Sequence, residues 1–504
     1  QRMAQLATLF MFSGLIAYLY GRSLVATNAL KGYMVMSVGV GVFTLLAMLS
    51  KENGILLPVL VGVVELTIVA SQRPRIPALN RWWAGLFIVL PSIVIALYLI
   101  TRVLKPGFFD IVPPREFSLY ERVLTQGRIL LEYLQHWFLP KLYTAGVFQD
   151  HYAKSTGLFS PVTTLLSYLV HGALIAWAFA KRRQLPVCSL AVLFFYASHL
   201  LESTVINLEL YFEHRNYVAA AFLFLPLVEI SYRKLSGRAF GLAVLFVMVL
   251  LTSFTRYSAT VWQSLPSLVE ASAIKAPNSA RAQSVYAKLL FYLDRNEEAL
   301  EIIDEAILKV SDDDPLLLRV RLYFLCSDDA LDDQEFEQAA KRLAALPFDS
   351  RALKAYNIFA DQVVKGSCPN ITPESLEGMF LKMLDYPANS DPSSLRYANV
   401  NYLIGYSSVY AGKPQDAMAA FERSLSSRPG PGRAMSMASL MASQGYAKEA
   451  LILSDTALTQ LAEETAEDPR KVQKVKASDI REFQETVRAA LAAQQGAGIP
   501  DEAD

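Results

Sequence analysis

The sequence predicts an all-α protein in two unlike halves: a polytopic transmembrane helical domain over 1–258, then an α-solenoid of stacked helical hairpins over 259–493. Three observations predict this. Long apolar runs are confined to the first half, the charge balance reverses near residue 259, and a recurring spacing of small residues is confined to the second half. The tail, 494–504, offers only small and acidic residues after the last helical pattern and is expected to be disordered.

The hydrophobic fraction of 53% is high for a soluble chain of 504 residues, and the net charge of zero hides a division. Before residue 259 there are 22 Lys and Arg against 11 Asp and Glu; after it the count is 25 against 36. The early cations sit in short loops between apolar runs, a distribution typical of membrane proteins, and nucleic acid is excluded as a partner on that ground. Cys188 lies in an apolar run. Cysteine is commonly buried without a bridge, so Cys326 and Cys368 are read as two structural thiols, able to pair only if their half is extracytoplasmic.

A helix rising 1.5 Å per residue needs roughly 20 apolar residues to cross a bilayer core. Eight stretches are read as spans: Met3–Tyr20, Gly32–Ser50, Gly54–Ser71, Trp82–Leu104, Pro161–Ala180, Pro186–Leu201, Val218–Tyr232 and Ala239–Phe254. The basic groups Arg73, Arg75 and Arg81, then Lys181, Arg182 and Arg183, then Arg233, Lys234 and Arg238 all fall on one side of this arrangement, which makes that side cytoplasmic. The turn Lys51–Asn53, the stretch Lys105–Ser160, the loop Glu202–Tyr217 and the whole second half are then outside. Gln1 also falls outside with no initiator Met and no signal peptide, so at least one further helix is expected upstream.

Between Ser118 and Leu142 runs an amphipathic pattern. Val123, Leu130, Leu131, Leu134, Trp137 and Phe138 share one face, with Arg128, Glu132 and Gln135 on the other. Such stretches lie in the membrane interface, and a span here would break the agreement of the basic loops.

In the second half Gly405, Ala417, Phe421, Ser424 and Pro429 reproduce the spacing of a tetratricopeptide repeat, and Ala438, Ala450 and Ala457 repeat it 33 residues on. An earlier copy holds Ala287, Ala299 and Ala306. The interval Pro315–Ser394 keeps helical periodicity but loses this register; it is read as degenerate repeats with loops at Cys368–Thr372 and Pro387–Pro392. Solenoids of this kind mostly bind proteins on their concave surface.

No nucleotide-binding glycine loop, zinc-ligand spacing or nucleophile elbow appears. What remains is polar clustering at the outer ends of spans: Ser50, Lys51, Glu52 and Asn53; Glu213, His214, Arg215, Asn216 and Tyr217; and Arg122 with Arg128. A lipid-linked phosphate at that depth needs cationic donors, for which the arginine fork is suited, and a nearby carboxylate can orient them or act as a base. Lys51 with Glu52 reads equally well as an interfacial anchor pair, whereas His214 with Arg215 reads as functional. His136, His151, His171 and His199 read as structural histidines, and Glu65 and Glu229 as helix-packing carboxylates at least as well as functional ones.

Three segments together carry a family resemblance: Gln1, Arg2, Met3 with Leu6 and Phe10; Ser50, Lys51, Glu52, Asn53, Gly54 with Leu57 and Pro58; and Glu213, His214, Arg215, Asn216, Tyr217. The chain resembles bacterial relatives of the transmembrane and tetratricopeptide-repeat O-mannosyltransferases, within the C-type glycosyltransferase superfamily. The resemblance implies protein glycosylation at a bacterial inner membrane. A sugar would pass from a polyprenyl-phosphate donor to a protein or glycan acceptor, with the repeats in the periplasm. It also implies a catalytic acidic residue, a base or a ligand to a divalent metal, upstream of Gln1, without which this segment is expected to be inactive. Lys51, Glu52, Glu213, His214, Arg215, Tyr217 and Arg122 become the candidates for binding the donor phosphate and its surroundings. A non-catalytic membrane scaffold that recruits partners for envelope or polysaccharide assembly is the alternative. An oligosaccharide polymerase or ligase would need a larger loop between spans.

Overall fold

The computed structural model describes residues 2–72, 76–105, 107–110, 117–139, 148–150, 152–311, 314–467 and 475–496. It divides into two compact units, Gln1–Ala276 and Pro277–Asp504. The division lies beyond the expected boundary at 258, because one helix continues to Val261 and another, Leu265–Lys275, follows it within the first unit. Among the described residues the structure is helical, with no β-strand beyond an isolated bridge between Gly157 and Ser160.

Among the described residues, six helices of the first unit are long and apolar enough to cross a membrane: α1 (Arg2–Leu24), α2 (Ala29–Ser50), α3 (Glu52–Val69), α4 (Arg81–Leu104), α6 (Thr163–Lys181) and α9 (Gly237–Val261). These match six of the eight expected spans. The other two are shorter. α7 stops at Pro186–Ser198, and the stretch from residue 218 is broken into a turn of helix at Asn216–Ala219 and α8 at Leu225–Lys234. Pro226 stands in the first turn of α8, where its missing N–H costs nothing, but it could not have continued a preceding helix without loss of a backbone bond. Arg73 and Arg75 of the first basic loop lie outside the described residues.

α5 (Leu119–Phe138) falls where the amphipathic pattern over 118–142 predicts a helix. A capping box starts it: the Glu121 amide donates to Ser118 Oγ at 3.1 Å and the Ser118 amide donates to Glu121 Oε2 at 2.9 Å. Its buried residues include Arg122, Thr125, Gln126 and Tyr133, while Trp137 and Phe138 are exposed. Leu124 and Ile129 are buried beside them, Leu130 and Leu134 pack against the same core, and Gln135 of the polar face is exposed, so the inward face mixes polar and apolar residues and the expected two stripes do not sort cleanly.

The second unit is a series of helical hairpins: α10–α11 (Ala280–Tyr292, Asn296–Val310), α12–α13 (Pro315–Ser327, Asp333–Ala344), α14–α15 (Leu353–Val364, Pro373–Met383), α16–α17 (Leu395–Tyr410, Pro414–Ser427) and α18–α19 (Pro431–Ser443, Ala447–Glu467). Each hairpin bends through one residue of left-handed φ, in order Asp294, Asp329, Gly366, Gly412 and Gly445. The interval that loses the small-residue register thus keeps the hairpin. Where the register is present it is steric: a Cβ on Gly405 would lie 2.4 Å from Phe421 Cε1, and Ala287, Ala299, Ala417, Ala438, Ala450 and Ala457 are fully buried. Residues 387–390, expected as loop, form a short helical turn. Most of the tail expected to be disordered, residues 497–504, lies outside the described residues.

Cys326 and Cys368 form a disulfide across Cα atoms 4.9 Å apart, correcting the expectation of separate thiols. The spacing gave no sign of it because the bond joins the end of α12 to the loop before α15, two elements whose adjacency only the stacking creates.

Candidate functional site

The turn from α2 into α3 is tight for a local reason. A Cβ on Gly54 would lie 2.2 Å from the Ala47 carbonyl carbon, so only glycine lets α3 fold back beside the last turn of α2. This close turn half-buries Lys51 and aims it at the segment that follows α7. There Lys51 Nζ meets Glu202 Oε1 at 2.5 Å. Glu202 is buried, with Asn53 close by. Burial opposes its ionisation, but Lys51, with help from Arg215 and Asn53, outweighs that and holds the carboxyl below the usual range. Burial pushes the imidazole of half-buried His214 below its ordinary value, and the field of Lys51 lowers it further. At neutral pH Glu202 is therefore a carboxylate and His214 a neutral imidazole, both beside the Lys51 side chain.

The structure thus brings together Lys51, His214 and Arg215 from the sequence-selected set and adds Glu202. Glu202 was read as nothing more than the start of a loop. An acid at the end of an apolar run looks like a helix terminus, and its one legible signal was that it shared an expected side with Lys51. Glu52 is exposed in the first turn of α3, and Glu213 and Tyr217 are exposed on the short helical segment around 213–219.

The two arginines have a different role from the one their side-chain chemistry suggested. Arg122 is fully buried and donates to three backbone carbonyls: Leu208 O at 3.0 Å, Glu202 O at 2.6 Å and Thr204 O. Arg215 donates to Leu210 O at 2.9 Å and Glu209 O at 2.6 Å. Gln126 adds a bond to Leu210 O at 2.7 Å, and Tyr133 both donates to Phe212 O at 2.9 Å and accepts from the Phe212 amide at 2.8 Å. Segment 202–212 has little regular structure, so α5 and Arg215 supply the hydrogen bonds that its backbone cannot make for itself. Burial, set against the nearby Arg215 charge, leaves the Tyr133 phenol pushed up to about 12, so it stays protonated and able to donate. The expected phosphate forks are staples for the loop that carries Glu202 and His214.

The remaining polar residues are structural. Arg128 donates to Ala153 O at 2.9 Å and lies over the Tyr152 ring. His171 bridges Tyr196 OH and Gly127 O, each at 2.7 Å, and His199 lies between Ser203 and Asn216. His136 contacts Tyr211 OH at 3.0 Å. His151 lies outside the described residues. Glu65 is buried with Arg22 at 3.1 Å and Tyr18 OH at 2.6 Å, tying α1 to α3, while Glu229 pairs with Arg233 along α8. Among the described residues no group of three His, Cys, Asp or Glu could hold a metal ion.

No family model matches the chain, and no curated protein matches it. Among solved structures it is similar to a tetratricopeptide repeat protein from Parabacteroides merdae ATCC 43184, at 12% identity and a TM-score of 0.24, over 64% of this chain and 99% of that one. The chain is all-helical, with a tetratricopeptide-repeat protein as a distant structural neighbour.

Proposed function

We propose that this is a polytopic membrane glycosyltransferase that moves a sugar from a polyprenyl-phosphate donor to a protein or glycan acceptor on the extracytoplasmic face, with the repeats presenting the acceptor. The observation that carries the reading is the pairing of Lys51 with Glu202 beside His214, where α2 turns into α3. An ammonium has three donors, and Glu202 engages one of them, leaving two for phosphate oxygens. The carboxylate orients that ammonium, and the neutral imidazole can accept a proton. The six long apolar helices, with exposed Trp137 and Phe138 at the end of α5, support a bilayer setting. The Cys326–Cys368 disulfide supports an oxidising compartment such as the periplasm.

The test has two arms. Impermeant maleimide should label Asn207→Cys and Ser443→Cys in intact cells, since both positions are exposed; labelling of only one after permeabilisation sinks the topology. The full-length protein in proteoliposomes should release polyprenyl phosphate from a radiolabelled polyprenyl-phosphate sugar, and Lys51→Met should abolish release while insertion is kept. Undiminished release would remove the phosphate role.

A second reading, a non-catalytic scaffold, draws support from one observation: Arg122 and Arg215 are engaged by backbone carbonyls. It predicts membrane insertion and partner capture with no release of polyprenyl phosphate in that assay.

A further inference from the structure

The first helices of the first three hairpins, α10, α12 and α14, line a cavity of about 530 Å³ within the second unit, in the size range of ligand pockets. Phe291, Tyr323, Tyr356 and Phe359 give it aromatic walls, and Tyr292 stands 84% exposed at its edge. Two cations, Lys288 and Arg319, also line it. Arg319 lies over the Tyr356 ring at 5.2 Å, and its Nε and Nη1 atoms are buried without a hydrogen-bond partner.

Among the described residues neither cation forms an ion pair. Asp294, also in the lining, forms no ion pair with either, and Asp349, whose charge acts on Arg319, is held by Arg351 at 2.9 Å. Lys288 is exposed as a residue, but partial desolvation where it lines the cavity, with the nearby Arg319 charge, pushes its amine below its ordinary value. Two like charges over an aromatic wall, with guanidinium donors unused, repel one another until an anion enters.

We infer that this cavity binds an extended peptide segment of a protein partner in which a carboxylate sits beside apolar side chains. The carboxylate would meet Arg319 and Lys288, and the apolar neighbours would fill the space against Phe291, Tyr323 and Phe359. The lining offers two cations against a single carboxylate among mostly apolar side chains, which matches one carboxylate with apolar neighbours better than a neutral glycan rich in hydroxyls. This assignment stands whether or not the membrane unit transfers a sugar.

The probe is a set of fluorescein-labelled decapeptides carrying one to three glutamates among leucines and phenylalanines, each paired with its glutamine analogue. Binding to the full chain in detergent is followed by anisotropy. At least one glutamate peptide should bind about tenfold or more tightly than its analogue, the scale of a charged hydrogen bond. Arg319→Gln and, independently, Lys288→Met should each remove most of that preference. Lys288 is exposed, so its variant keeps the fold if the helical melting curve is unchanged. Absence of binding, equal binding of every pair, or a preference retained by the Lys288→Met variant would overturn the proposal. Displacement of the peptide by an acidic oligosaccharide such as oligogalacturonate would overturn it in favour of a glycan.

Discussion

The two units both bury an apolar core, but they differ in what they leave outside and in which charges they hide. In the first, α9 buries none of its residues and exposes Leu245, Phe246 and Leu251, while Arg122 is wholly inaccessible and Arg22 nearly so. In the second, the inaccessible residues are Ala299, Phe324 and Phe421, and the ion pairs Arg295–Glu298 and Lys309–Glu305 lie on the surface. On the proposed bilayer setting, the difference teaches that the same helical alphabet is being read against two solvents. Where the outside is apolar, backbone and charged groups must be satisfied inward; where it is water, small and aromatic residues make the core.

The sharpest way to break the comparison is Arg122→Met. In a water-solvated helix this change would be mild, but here three buried carbonyls lose their donor. We expect a loss of about 3 kcal/mol or more, read as a lower melting temperature in detergent and faster proteolysis within 199–216. A variant that melts with the wild type would show that the inward polar face contributes little.

Next in size is the staple of the second unit. Cys326→Ser should cost about 2–4 kcal/mol in chemical unfolding, with no change in the helical signal at low denaturant. The register comes third: Gly405→Ala forces a methyl group into Phe421 and should cost about 1–3 kcal/mol, whereas the same change at Gly378, which has open space around it, should cost far less.

The smallest effect belongs to the site. The Glu202 carboxyl is held below its ordinary value of 4.5 when folded, so its pair with Lys51 is fully stabilising above that value and fades as pH falls through the lower folded one. Lys51→Met should cost about 1 kcal/mol at pH 7. The gap between variant and wild type should close in strong acid, as followed by melting temperature against pH. A gap that persists there would mean that Lys51 acts through packing alone.

These contrasts also explain what could be read in advance. Run length gave six long helices because crossing a fixed thickness is a one-dimensional property of sequence. The break at Pro226 was legible in principle, but an apolar average across 218–232 masked it. The amphipathic pattern over 118–142 told which residues share a face, yet nothing in a periodicity says which face meets which solvent. Arg122 and Arg215 were selected because a guanidinium fits phosphate; it fits carbonyl oxygens equally well, and only the irregular course of 202–212 decides between them. Glu202 and the disulfide were hidden because each depends on neighbours distant in sequence. The hairpins of 315–394 kept their turns through Asp329 and Gly366 after the small residues that mark the repeat had gone.

The bond between Cys326 and Cys368 has a mechanical consequence. It closes a chain separation of 42 residues, so if the protein is pulled from its ends, that stretch cannot add to its extension. At roughly 3.4 Å per residue, about 140 Å of contour is withheld. Under tension the solenoid behaves as two extensible arms around an inextensible link, and a reductant added during single-molecule stretching should release that hidden length in one step.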